Sequence, residues 1–220
     1  EPVQGAGGHT VATAEFFQQL SRLAHEHDTY LGFDEVQTAG GQLGTTFAVD
    51  QFDLPYPPQA IAVGKKFANG VVYMRQTMHD RGILDSTWGG TLADMVRFVR
   101  EMQIVRDERL IEQVPAKTKR LVSGVRRLAS DYPTLIHNLR GIGLYQGFSV
   151  HGQGATSRLV DLALQQESLL LLQAGPKSIR LRPSLSLTES EIDLFLRKLD
   201  HCLVGLQREF NPQPSTRVSA

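Results

Sequence analysis

Apolar residues recur along this chain with two periods, and the alternation between them predicts an α/β protein. Residues 13–27 set Phe16, Phe17, Leu20, Leu23 and Ala24 at helical spacing with polar residues opposite, so an amphipathic helix covering a sheet is expected. Two short apolar runs follow. Tyr30-Leu31-Gly32-Phe33 ends at Asp34-Glu35, and Ala60-Ile61-Ala62-Val63 ends at Gly64-Lys65; each reads as a buried strand with charge at its carboxyl end. Such strands alternating with helices imply a parallel or mixed sheet, whose ligands gather beyond the carboxyl ends. Asp34 and Lys65 are thereby expected near one rim.

A long helical pattern runs over residues 91–113, is expected to break at Pro115, and resumes through Leu128. After Tyr132-Pro133 the pattern reads as strand 143–150, helix 156–167, strands 169–172 and 178–182, and helix 189–206, which together make a small α+β domain. The expected organisation is the C-terminal part of a large domain over 1–90, an interdomain helical segment over 91–130, the small domain over 131–210, and a flexible tail over 211–220 that has too little apolar surface to offset ordering. The Pro- and Gly-containing start at Glu1 reads as the end of a strand, so further sequence is expected upstream.

Composition narrows the function classes. Lys and Arg total 23 and Asp and Glu total 23, so no net field draws the chain to nucleic acid or an anionic membrane, and a small-molecule role is favoured. One cysteine, Cys202, cannot form an internal disulfide, and no Cys/His cluster has metal-ligand spacing; a reducing, cytoplasmic setting is expected. No apolar run approaches the roughly 20 residues of a membrane span.

The candidate chemistry sits at the strand ends. A carboxylate such as Asp34 can hold a pyridine nitrogen protonated, and a lysine after a buried strand and a Gly can form a Schiff base; taken alone, however, an Asp-Glu pair strongly favours capping a turn or helix, and Lys65 or Lys66 reads as a solvated surface charge. Gly64-Lys65-Lys66 is not a phosphate loop, because the upstream Gly and following Ser or Thr are absent. Arg180 and Arg182 lie two apart on an expected strand, hence on one face, and either a carboxylate ligand or a structural ion pair would suit them. His25 and His27 point different ways on a helix and are expected to be solvated.

Five motifs occur in order: Glu1-Pro2-Val3-Gln4-Gly5, Phe33-Asp34-Glu35-Val36-Gln37-Thr38, Gly64-Lys65-Lys66, Ser86-Thr87-Trp88-Gly89-Gly90 and Ser178-Ile179-Arg180-Leu181-Arg182-Pro183. In this the chain resembles the class III pyridoxal-phosphate-dependent aminotransferases, and looks most like their lysine 6-aminotransferase and 4-aminobutyrate aminotransferase members. The resemblance implies a fold type I transferase that passes an amino group, here the terminal amine of L-lysine or a related ω-amino acid, to 2-oxoglutarate through a Schiff base with pyridoxal 5'-phosphate. It makes Lys65 the Schiff-base lysine and Asp34 the partner of the ring nitrogen. It sets Gln37 at the ring hydroxyl, and Thr87 at the cofactor phosphate of a neighbouring subunit in a homodimer with shared active sites. Arg180 is assigned to the substrate carboxylate, and Glu1 falls where the family has an acid near the substrate pocket.

The chain departs from the family at several points. Ala6 replaces the Glu that covers the arginine in lysine, ornithine and 4-aminobutyrate enzymes, which leaves Arg180 uncovered. Gly32 replaces an apolar residue, and the stretch between Lys65 and Thr87 is shorter. The family's phosphate loop and ring-stacking aromatic have no counterpart in this sequence. The alternative reading is a truncated or non-catalytic homologue that keeps the fold and a dimer surface.

Overall fold

The computed structural model describes residues 1–76, 82, 87 and 90–210. Residues Ser86, Trp88 and Gly89 of the fourth motif and the expected tail lie outside these. The chain divides into two compact units, one made of Glu1–Gly5 with Val11–Pro115 and the other of Ala6–Thr10 with Ala116–Ala220.

The first unit begins with the short strand β1 (Val3–Gln4); the next, β2 (Thr10–Val11), falls where the chain returns to this unit. Helix α1 (Ala14–Glu26) starts where the Thr13 hydroxyl accepts from the Phe16 amide. Its buried residues are Phe17, Ser21 and Ala24, whereas Phe16, Leu20 and Leu23 are exposed, so the face it packs is offset from the centre of its apolar stripe. Strands β3 (Gly32–Asp34), β4 (Ala60–Val63) and β5 (Val71–Met74) form a mixed sheet in that order, with β3 and β4 parallel and β4 and β5 antiparallel. Phe17, Phe33, Val49 and Phe52 form the core between α1 and the sheet, and the Phe17 and Phe52 rings stack 4.3 Å apart.

Two sequence expectations fail near the end of this unit. The long helical pattern breaks earlier than Pro115: helix α2 (Leu92–Asp107) ends, turns follow through a left-handed Arg109, and helix α3 (Val114–Asp131) begins with Pro115 in its first turn. Proline there sacrifices no helical hydrogen bond, because first-turn amides have no partner within the helix. Strand β5 is not among the expected elements: its residues alternate in exposure, but Val71-Val72-Tyr73-Met74 are all apolar, so no polar alternation marks them in the sequence.

The second unit is an antiparallel sheet covered by helices. Strands β6 (Ile136–Ile142), β7 (Tyr145–Val150), β8 (Leu172–Ala174) and β9 (Ser178–Leu181) pair in the order β6-β7-β9-β8. Helix α4 (Ala155–Glu167) and helix α5 (Glu189–Phe210) join α3 over a core that includes Val125, Phe148, Leu159, Ile179 and Leu199. All six residues of β7 are buried, since it is central in the sheet and both its faces are covered.

The expected strand 143–150 is thus the second arm of a hairpin. Its partner β6 is disguised by a register shift between His137 and Arg140, with Asn138 left-handed. The expected strand 169–172 begins only at Leu172: Ser168 turns left-handed and the Leu169 amide returns to the Ala163 carbonyl, so the preceding leucines close the end of α4. Strand β9 ends at Leu181, leaving Arg182 just outside it. Among the described residues no helix is long and apolar enough to cross a membrane.

Candidate functional site

In the first unit the parallel pairing of β3 and β4 sets Asp34 opposite Ala62, and the Glu35 amide donates to the Ala62 carbonyl at 2.8 Å. The two strands therefore end together, and Asp34 and Lys65 emerge at the same edge of the sheet. Asp34 is exposed, and its Oδ1 accepts from the Val36 amide at 3.0 Å, which fixes the carboxylate against the turn that follows. Lys65 is also exposed and has a left-handed backbone, φ 50°. Lys66 differs, because its Nζ donates to Gln42 Oε1 at 2.6 Å.

The carboxylate beside Asp34 has another task. Glu35 is fully buried, and accepts from Thr38 Oγ1 at 2.9 Å, the Ala48 amide at 2.7 Å and the Val49 amide at 2.9 Å. Successive strand residues face opposite ways, so Asp34 points out and Glu35 in. Burial pushes the Glu35 carboxyl up, against the pull of those three donors. Gln37 lies within the turn that Glu35 anchors, and a β-carbon on Gly5 would stand 1.9 Å from Gln37 Oε1. Glu1 is turned inward on its own segment, its Oε2 accepting from the Gly5 amide at 2.8 Å. Thr87 lies in an exposed turn.

Arg180 belongs to the second unit, where β9 holds it between Gly147 of β7 and Leu172 of β8. Arg180 and Arg182 border a cavity of about 350 Å³ whose other walls are mainly leucines, with Ile192 and Phe195. His9, also fully buried, lies close to them. Its Nδ1 is 2.9 Å from the Gln146 carbonyl, and since a carbonyl only accepts, Nδ1 carries the proton. The ring stacks on Tyr145 with centroids 5.2 Å apart. Burial holds His9 below the usual histidine range, and the nearby charges of Arg180, Arg182 and Arg140 add to that, against the pull of the carbonyl. Burial also raises the Tyr145 phenol to about 12.

Sequence reasoning did not single out Glu35 or His9. Strand alternation after Asp34 was the available signal for Glu35. For His9 there was none, because its burial depends on residues 6–10 joining the unit formed by residues more than a hundred positions later.

His25 and His27 are both exposed, and the His25 ring also stacks on Tyr56 with centroids 3.7 Å apart. Among the described residues no group of three or more His, Cys, Asp or Glu could hold a metal ion.

A strand pair delivering a carboxylate and a lysine to one sheet edge, followed by an antiparallel sheet bearing an arginine, gives part of the fold of the pyridoxal-phosphate-dependent aminotransferases. Lysine aminotransferase from M. tuberculosis matches it with a TM-score of 0.87 at 34% identity, covering 94% of this chain and 48% of that one. N-acetylornithine aminotransferase from Stenotrophomonas maltophilia matches with a TM-score of 0.80 at 25% identity, covering 94% and 56%.

The chain belongs to the class-III aminotransferase family, whose sequence profile matches residues 1–203. It is 33% identical over 207 residues to an L-lysine-epsilon aminotransferase of Streptomyces clavuligerus, covering 90% of this chain and 45% of that protein. It is 30% identical over 208 residues to the 4-aminobutyrate aminotransferase of Schizosaccharomyces pombe, covering 92% and 44%. The chain thus spans about half the length of the curated relatives it matches. Class III aminotransferases are pyridoxal-phosphate-dependent.

Proposed function

We propose that this protein takes part in transamination, moving an amino group from an amino acid, with the terminal amine of L-lysine or a related ω-amino acid as the leading donor, to 2-oxoglutarate. The observation that carries the reading is the emergence of Asp34 and Lys65 from neighbouring parallel strands at one edge of the sheet. Similarity to L-lysine-epsilon aminotransferases supports the donor class.

The residues present fit pyridoxal phosphate. Asp34 is exposed and braced by the Val36 amide, Lys65 is exposed, and the absence of a side chain at Gly5 leaves room for the Gln37 amide group. Bound pyridoxal phosphate would supply an aldehyde carbon and an electron-withdrawing ring. Asp34 would hold the proton on the ring nitrogen, a charge contact that shifts such an equilibrium by about 1–3 pKa units. Gln37 would orient the ring through its hydroxyl. Lys65 would hold the cofactor through its Nζ and move a proton at the substrate's amine-bearing carbon. Thr87 would serve the cofactor phosphate of a neighbouring subunit in a homodimer.

Arg180 would grip the substrate carboxylate with its planar fork. Ala6 stands where a covering glutamate would, which favours an α-carboxylate such as that of glutamate as the ligand of Arg180. Glu1 is the further candidate contact to substrate, through the oxygen that does not receive the Gly5 amide. The buried free thiol of Cys202 accords with a reducing, cytoplasmic setting.

The test is the absorption spectrum of the purified 220-residue protein with pyridoxal phosphate, then borohydride reduction and peptide mapping. A visible band and a label on Lys65 are expected. A folded protein without a specific label would favour the non-catalytic homologue.

A further inference from the structure

We propose that the cavity formed where β7 leads into α4 is an anion site that takes a compact phosphate-type oxyanion. The cavity measures about 420 Å³ and is lined by His137, His151, Gly152, Gly154 and Lys177 among others, with no carboxylate in its wall. The His137 and His151 rings stack with centroids 3.6 Å apart and planes 16° from parallel. His137 Nδ1 is buried and has no hydrogen-bond partner among the described residues. The proposal does not depend on the transaminase reading, since neither Asp34 nor Lys65 enters it.

The charged residue in the wall of this cavity is a cation, Lys177. Arg140, on the same strand as His137, donates to the Asn138 carbonyl and to the Ser149 and Ser178 hydroxyls, all neutral acceptors, so these bonds leave its charge uncompensated. Lys177 is exposed at the cavity wall. Helix α4 opens on Gly154, which offers no capping side chain, and has no acidic residue in its first turn. From α5, Phe210 stands against Gly152, while the Glu209 carboxylate is gripped by both ends of the Arg158 fork at 2.6 and 2.7 Å. A cationic wall in a concavity concentrates counter-ions, and the positive end of the helix adds to it.

Burial holds His137 below the usual histidine range, with further lowering from His151, Arg140 and Lys177. A bound dianion would reverse those repulsions. His137 could then take up a proton and donate a hydrogen bond to the anion.

The experiment is a titration of inorganic phosphate into the full 220-residue chain, ¹⁵N-labelled, at constant ionic strength set with sodium chloride. Saturable shifts of both imidazoles and of the amides over 152–157 are expected, together with a raised His137 pKa. Lys177→Ala and His151→Ala, both at exposed positions, should each weaken binding by about tenfold, with the remaining spectrum unchanged. Shifts that grow without saturating, that chloride reproduces, or that survive unaltered in Lys177→Ala would overturn the proposal.

Discussion

The carboxylate of Glu35 receives the backbone amide of Ala48 at 2.7 Å, pinning the far side of a thirteen-residue excursion to the end of β3. The same carboxylate also holds Thr38 and Val49, so the turn carrying Gln37 is anchored from inside. Removing it would strand two buried amides. Glu35→Ala should cost about 3 kcal/mol or more, and Glu35→Gln, which keeps an acceptor oxygen, about half that. Urea unfolding of the two variants checks this; negligible losses in both would mean that these bonds are not what holds the turn.

Lys65 and Lys66 should differ in labelling. Lys66 is engaged by Gln42, whereas Lys65 emerges at the sheet edge shared with Asp34. Borohydride reduction with pyridoxal phosphate should mark Lys65, and Lys65→Ala should abolish the mark while Lys66→Ala retains it. Mass spectrometry of the digested protein decides between the two lysines.

Gly147 should tolerate no side chain. A β-carbon there would lie 2.6 Å from the Gly8 carbonyl oxygen and 3.4 Å from that of Ile179, so backbone has to move on the β7 face opposite Arg180 in the ladder. Gly147→Ala should destabilise the protein by about 2 kcal/mol, the usual scale of overpacking. Thermal or urea denaturation measures it, and a neutral substitution would show that residues 6–10 yield easily.

Stability should fall on mild acidification, in part because of His9. Its folded pKa lies below the ordinary 6.5, so on acidification the unfolded chain takes up a proton before the folded chain does. The unfolded state then binds more protons, and stability rises with pH. His9's contribution is complete above about pH 6.5 and is lost as pH drops through and below that value. His137, also lowered chiefly by burial, acts with the same sign. Unfolding curves between pH 5 and 8 should show this slope, and His9→Asn should flatten it; an unchanged slope would remove His9 from the account.

Local period and spacing already encode part of this fold. Strand β4, the body of α1, helices α4 and α5 and the motif-bearing strand end at Asp34 are all legible, because side-chain direction follows the 2.0 and 3.6 residue periods wherever one face is buried. Tertiary structure alone decided which face that is. Phe16, Leu20 and Leu23 satisfy the helical period yet remain exposed, while Ser21 on the same helix is buried with its hydroxyl on the Tyr56 carbonyl. Strand β6 needed its partner β7 to be recognised, since the bulge at Asn138 breaks the alternation. The burial of His9 and the stacking of His137 on His151 arise from chain segments meeting across long separations. No local propensity records such contacts, because their energy comes from a neighbour that only the folded chain supplies.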